Sequence, residues 1–596
     1  MKNKKLLVLL NILSILCFCG CNDDFMDRYP ETEITDIKFF NTVNDLETYT
    51  NSFYEYLDYV YTDVATDNVV YIEENYFYSL LRSEINYRNV GKWEGWDKIR
   101  NVNYMLVNTS RVQGNEDEIN HHIGVARLFR AYLYYDLVKE YSDVPWYNKP
   151  LETADEDLLY KPQDSRELVV DSIMADLDFA VNNIKDNTSK TRFNKWSALA
   201  LQARIALHEG TFRKYHTELN LTDGDKFLRI ARDAANAIMD SGKFSISYDT
   251  FEGKGVYESM FCNTNLTQNP EMIMIVDFDL ALRRFHNSKI VLNYNYGLSR
   301  SLVEDYLVIN EDGTTMPFQQ IPDYDKIGFL DIAKGRDPRL GQTLMQPGFK
   351  QPGSSEEERI KPGLGGYPQT KYFPLTFDQL SWASTYTDLP FVRLSEIYLI
   401  YAEARAELGE LTQGDLDQTV NLIRDRVKMP HMNLSTVSSK IDPIQEKRYP
   451  NVSGPQKGAV LEIRRERRVE LASEGFRYDD LFRWKVAHLT AVNSEGAYID
   501  KLGLIDVTGD GDPDIAIVKT QADADAISQE LKDKYKLSLY ILEKETFYLT
   551  EGDKGFIGMV AQKDKFRFED PKYYYKPVYE QDMLVNPNLY QNIYWK

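Results

Sequence analysis

The chain has 596 residues and a formal net charge of −22, with 13% aromatic residues that include 41 Tyr. Its length supports a large core in more than one compact layer. Its acidity sets it against phosphate backbones and excludes a nucleic-acid binder.

The first element in the chain is a leader. Lys2, Lys4 and Lys5 form a positive start, Leu6 to Cys19 an apolar stretch, and Gly20 the small residue before a cleavage point. The apolar stretch is interrupted by Asn11 and Ser14 and is shorter than the ~20 residues a spanning helix needs. A Cys directly after such a small residue reads as a bacterial lipoprotein signal, with residues 1–20 removed and Cys21 carrying the lipid. Phe18 stands where such signals usually have Leu. No later segment is apolar enough to span a bilayer, so attachment falls to lipid, and stable anchoring takes more than one chain. Only Cys262 then remains in the mature body, so internal disulfides cannot hold the fold.

Residues 21–35 read as an acidic tether. Helical spacing begins near Phe39, through Phe40, Val43, Leu46, Tyr49 and Phe53, with Asn41 or Thr42 as N-cap. Further helices are predicted over 93–112, 118–141, 164–186, 192–210 and 225–241, the last two stopped by Gly210 and Gly242. These make an N-terminal helical region over 36–242. Residues 243–390 lose the helical period and gain Gly, Pro, Asn and aromatics. They read as a loop-rich region with a short strand at 272–276, and loops of this kind concentrate binding residues. Helices return over 391–428, 457–474 and 477–489, and Gly409 closes the first of them. Region 391–596 completes the frame, with 500–570 irregular. Paired amphipathic helices rich in Ala and Tyr point to tetratricopeptide-like units without a strict period.

Two charged motifs stand out. In 459–484, Arg464, Arg465, Arg467 and Arg468 alternate with Glu462, Glu466, Glu470 and Glu474. Opposite charges three apart on one helix face cancel the field, so the segment reads as an ion-paired helix packed through Val460, Ile463, Leu471 and Ala472. In DVTGDGDPD, Asp506, Thr508, Asp510, Asp512 and Asp514 alternate around Gly511. Such oxygens suit Ca²⁺, although an EF-hand's closing Glu is replaced by Ile517. The alternative is a solvated acidic turn.

No catalytic constellation emerges. There are 7 His, His121-His122 lack an evident acid partner, and the common hydrolase and nucleotide motifs are missing. The expectation is a protein that is not an enzyme. A surface glycoside hydrolase using an unrecognised carboxylate pair is the rival class, and a purely protein-binding helical scaffold is a third.

Several segments together resemble the SusD/RagB family of Bacteroidota outer-membrane lipoproteins. They are CNDDFMDRYP (21–30), WDKIRNVNYML (96–106), GVARLFRAYLYYDLVKEYSDVPW (124–146), RDPRL (336–340) and LPFVRLSEIYLIYAEARAELG (389–409). VNLIRDRVKMP (420–430), ERRVELASEGFRYDDLFRW (466–484) and YYYKPVYEQDMLVNPNLYQNIYW (573–595) follow, with Val125 and Ser142 departing from the pattern. The resemblance covers essentially the whole chain, and the order of the segments is more specific than any one of them. It implies a mainly α fold, tetratricopeptide-like helix pairs carrying an irregular ligand-facing subdomain. It also implies a lipid-anchored protein on the outer membrane, facing the exterior. Such a protein captures glycans, or peptides in the RagB-like branch, for a SusC-like TonB-dependent transporter. Asp23 and Asp24 would carry the surface-export signal.

Aromatics in the loops are the candidate ligand contacts, because flat rings stack on sugar C–H faces. They are Tyr71, Tyr76, Trp93, Trp96, Tyr294, Tyr296 and Trp382, with Arg82, Asn101 and Asn295 as polar partners for hydroxyls.

Overall fold

A computed structural model describes residues 39–71, 73–187 and 189–596. The leader, Cys21 and the acidic tether lie outside the described residues. Among those described, no helix is long and apolar enough to cross a membrane.

The N-terminal frame is built from α1 (Val43–Ser52), α2 (Trp96–Asn108), α3 (Glu116–Tyr141), α4 (Arg166–Asn183), α5 (Lys195–Tyr215) and α6 (Gly224–Asp240). Thr42 caps α1 through a reciprocal capping box with Asp45. Asn115, Ser165 and Asn194 cap α3, α4 and α5 with side-chain oxygens. Consecutive helices pack in antiparallel fashion, α3 on α4 and α5 on α6. The expected stop at Gly210 does not occur, and α5 runs on to Tyr215. Gly210 marks a close helix crossing instead. A Cβ there would lie 2.9 Å from the Leu228 side chain and 3.0 Å from the Gly224 carbonyl oxygen on α6.

The second half adds α7 (Leu394–Glu407), α8 (Lys457–Glu470) and α9 (Phe476–Arg483). Gly409, at φ 76°, ends the α7 segment as expected. These helices share one continuous apolar core with the first six.

The loop-rich region forms a second core under short strands. Strand β1 (Val69–Tyr71) pairs antiparallel with β3 (Tyr296–Leu298), and β2 (Met272–Val276) with β4 (Leu389–Arg393). Residues 495–559, expected to be mostly irregular, hold two three-stranded sheets. β5 (Glu495–Ile499) pairs with β10 (Gly555–Met559), which also takes β9 (Phe547–Leu549). β6 (Gly503–Ile505), β7 (Ile515–Val518) and β8 (Ser538–Ile541) make the other. Their strands span 3 to 5 residues, too short to show a clear alternating period.

The two cores are joined by buried ion pairs. Val460, Ile463, Leu471 and Ala472 are buried as the pattern of 459–484 predicts, but so are Arg464, Arg465, Arg467 and Arg468. Glu462 does meet Arg465, at 3.3 Å. Glu470 does not pair with Arg467, which turns to Asp480 at 2.8 Å. Glu470 instead meets Arg339 at 2.8 Å, Arg393 at 2.6 Å and Arg426 at 2.5 Å. Arg393 and Arg426 also reach Glu271 beside β2. Three guanidiniums around Glu470 hold its carboxyl well below the usual range against the cost of burial. This cluster ties the loop-rich region onto α8.

Candidate functional site: an exposed aromatic pair

Two aromatic side chains from separate loops meet on the surface of the loop-rich region. The ring centroids of Tyr294 and Trp382 lie 5.9 Å apart with planes tilted by 52°. Their relative exposures are 50% and 63%, so both rings are open to solvent. Large rings left this exposed, side by side, forgo the burial that would otherwise stabilise them.

The chain around each ring explains the pairing. Asn293 takes a left-handed φ of 52°, a conformation Asn tolerates. Its amide Nδ2 donates to the Arg359 carbonyl at 2.8 Å and to Glu358 Oε1 at 2.9 Å, while Lys361 Nζ donates to its carbonyl at 2.9 Å. This turn places Tyr294 immediately before β3. Strand β3 is held close beneath by Gly297, where a Cβ would come within 2.2 Å of the Leu364 carbonyl oxygen. On the other side, the Ala383 N–H donates to Asn287 Oδ1 at 3.1 Å. A two-way backbone bridge between His286 and Thr385 fixes the base of the Trp382 loop. His286 is itself buried. Its Nδ1 accepts from Ser288 N at 3.2 Å and its Nε2 faces the Thr387 carbonyl at 2.9 Å, which assigns the proton to Nε2. Burial pushes its pKa down to about 4, so the ring is neutral near pH 7.

Lys289 Nζ sits 5.9 Å from the Trp382 ring centroid. Phe377, 72% exposed, lies five residues before Trp382 in the chain, with its ring against Gly353. Sequence reasoning missed both. The run YFPLTFDQLSW, with its closely spaced aromatics, was the available signal for Phe377.

The other expected ligand residues divide. Asn295 is half-buried between Tyr294 and Tyr296. Tyr296 is 1% exposed and belongs to the second core, so it supports the site from below. Tyr71 pairs with Tyr296 across β1 and β3. Arg82 is committed to Glu74 and Glu84. Tyr76 packs under Lys576, whose Nζ is 4.9 Å from its ring centroid. Asn101 bonds the Tyr56 hydroxyl at 3.2 Å. Trp93 and Trp96 meet edge to face at 5.5 Å within the helical frame, Trp93 against Tyr141 and Trp96 against Tyr134 and Tyr147. The structure thus gathers Tyr294, Asn295, Trp382 and the β1–β3 pair, and places Trp93 and Trp96 in a different part of the fold.

The calcium expectation does not fit the loop. Asp506 accepts backbone N–H groups of Thr508, Gly509 and Gly511, and Asp514 those of Val507 and Thr508. Asp514 Oδ1 also faces the Arg359 guanidinium at 3.3 Å. Asp510 accepts from the Asp512 N–H. Among the described residues, no group of three or more His, Cys, Asp or Glu is arranged to hold a metal. The acidic turn closes on itself.

Comparison with known proteins follows from this architecture. Residues 293–595 match the model of the SusD family. The chain belongs to the SusD family. Residues 24–207 of this SusD-family chain match a second model, described as starch-binding associating with outer membrane. SusD-like protein P38 of Formosa agariphila is 22% identical, over 81% of this chain and 92% of its own. A SusD-like protein of Bacteroides ovatus is 22% identical, over 81% and 83%. Among solved structures, a SusD-like carbohydrate binding protein from Bacteroides fragilis superposes with a TM-score of 0.65 at 20% identity. It covers 93% of this chain and all of its own. A structure titled laminarin binding SusD-like protein gives 0.54 at 17% identity, over 93% and 99%. These likenesses establish the mainly α, tetratricopeptide-like fold.

Proposed function

We propose that this SusD-family protein captures glycans at the Tyr294–Trp382 pair and passes them to a SusC-like TonB-dependent transporter. The exposed, tilted ring pair carries the reading. Two apolar faces at 52° suit a curved chain of sugar rings better than a flat sheet, and Asn295 and Lys289 stand beside them to meet hydroxyls. The carbohydrate-binding and laminarin-binding titles of solved neighbours, and the outer-membrane description of the second family model, support the same reading. The protein acts by binding alone. It is held on the outer face of the membrane through lipid on Cys21.

The test is affinity electrophoresis of the purified mature chain through gels containing single polysaccharides, with a peptide panel beside it. Retardation by one glycan class without release of reducing ends supports capture. Reducing-end release would make the protein a hydrolase, and peptide binding without glycan retardation would move it to the peptide-capturing branch. Co-elution with the barrel protein from detergent-solubilised membranes tests the transporter.

A further inference from the structure

Two cavities, of about 390 Å³ and about 250 Å³, adjoin at the helical frame. They share Asp58, Asp136, Lys139, Tyr478 and Asp479 in their walls, so these residues stand where the two meet. Asp136 and Lys139 come from α3, Tyr478 and Asp479 from α9, and Asp58 from the chain that follows α1. The larger volume falls within the ~300–1,000 Å³ of ligand pockets.

Charge at the junction does not balance. Lys139 Nζ lies 3.0 Å from Asp136 and 3.0 Å from Asp479. Asp58 is exposed and has no ion pair among the described residues, so three carboxylates face one ammonium. Burial raises the pKa of the Asp136 carboxyl, and Asp479 and Asp58 raise it further against the pull of Lys139. The other charges in the walls cancel. Glu396 pairs with Arg204, Glu474 with Arg393 and Glu140 with Lys576, while Glu94 and Lys98 bring one of each sign. The walls thus hold two more carboxylates than cations.

Unused hydrogen-bonding groups point the same way. His208 is 4% exposed, lines the larger cavity, and has no partner at Nδ1. Burial, with Arg166 and Lys139 nearby, holds its pKa well below the usual value, so the ring is neutral and one of its nitrogens is an acceptor. The Tyr76 hydroxyl, in the same wall, is also buried without a partner. Tyr132, Tyr478 and Phe482 add aromatic surface, which attracts organic cations. Among the described residues the acids are not gathered as a metal site. A neutral ligand would leave the excess charge in place.

We propose that the two cavities form a second ligand site, for a linear diamine. One ammonium lies at the junction between Asp58 and Asp479. The carbon chain runs along Tyr478 into the larger cavity, where the second ammonium donates to His208. The two positive charges offset the two unbalanced carboxylates.

The test uses the full mature chain and titration calorimetry with 1,4-diaminobutane, the monoamine butylamine and the uncharged 1,4-butanediol. The proposal expects saturable one-to-one binding of the diamine, about tenfold weaker binding of butylamine, and none of the diol. Asp58→Asn and Asp479→Asn each weaken the diamine about tenfold, the loss of one charged contact. Glu530→Gln removes the same charge from an exposed position outside both cavities and leaves binding unchanged, which separates a site from general attraction to an acidic chain. Trp382→Ala also leaves it unchanged, which separates this site from the glycan surface. Thermal unfolding confirms that each variant is folded. Absence of saturable binding, equal binding of butylamine or butanediol, or equal affinities of Asp58→Asn and Glu530→Gln would each overturn the proposal.

Discussion

Replacing Glu470 with Gln tests whether the buried ion cluster holds the loop-rich region to the frame. Glu470 is fully buried and contacts three guanidiniums at 2.5 to 2.8 Å. Gln keeps the volume and removes the charge. Arg426 retains Glu271 at 3.0 Å, and Arg393 retains Glu271 and Glu474, so the excess positive charge is shared rather than isolated. Breaking one partner of a buried pair costs ~3–5 kcal/mol. For a chain this long unfolding as one unit, ~2.1 cal/mol/K per residue turns that into a fall in Tm of about 2–4 °C. The pH dependence gives a second check. Glu470 has its folded pKa depressed, so its contribution is fully present above the unfolded Glu value of ~4.3 and is lost as pH falls below it. Differential scanning calorimetry at pH 7 and pH 3.5 should therefore show a clear gap between wild type and Glu470→Gln at pH 7 and a smaller one at pH 3.5. Replacing Glu470 and Arg426 together by Met should recover part of the loss. A Tm change under 1 °C at pH 7, or an equal gap at both pH values, would refute the reasoning.

Three further outcomes are expected. Gly297→Ala pushes a methyl into the Leu364 carbonyl; overpacking of this kind costs ~1–3 kcal/mol, and thermal unfolding together with weakened glycan retardation should register it. Cys262 is buried and its thiol is pushed up to about 12, so a thiol reagent at pH 8 should label it only after denaturant is added. Cys21→Ala in the full-length chain should abolish incorporation of labelled fatty acid and release the protein from the membrane fraction; retention with label would disprove lipidation there.

Much of the frame was legible because its helices are long and regularly patterned. Thr42, Gly242 and Gly409 marked element ends by local chemistry that needs no tertiary information. Gly210 misled because its role is set by α6, which only the folded chain brings near. The sheets between 495 and 559 escaped notice because their strands are short and β7 is buried throughout, leaving no period to read. The charge pattern of α8 was visible, but partner choice was not: Glu470 reaches Arg339, Arg393 and Arg426 across 44 to 131 positions of chain instead of Arg467 on its own helix. In the site, Tyr294 and Trp382 were recognisable as loop aromatics. Nothing local distinguished them from Tyr296, two residues on, which the strand turns inward. Asp506 to Asp514 had the spacing of a cation loop, but the Arg359 that faces it lies 155 positions away.

The most direct test of glycan capture is the affinity of the Tyr294→Ala, Trp382→Ala double variant for whichever polysaccharide retards the wild type. Both rings are exposed, so the variant should melt at the wild-type temperature. Loss of retardation with an unchanged Tm is the result expected of a binding surface built on that pair. Retardation equal to wild type would contradict it and place capture elsewhere on the molecule.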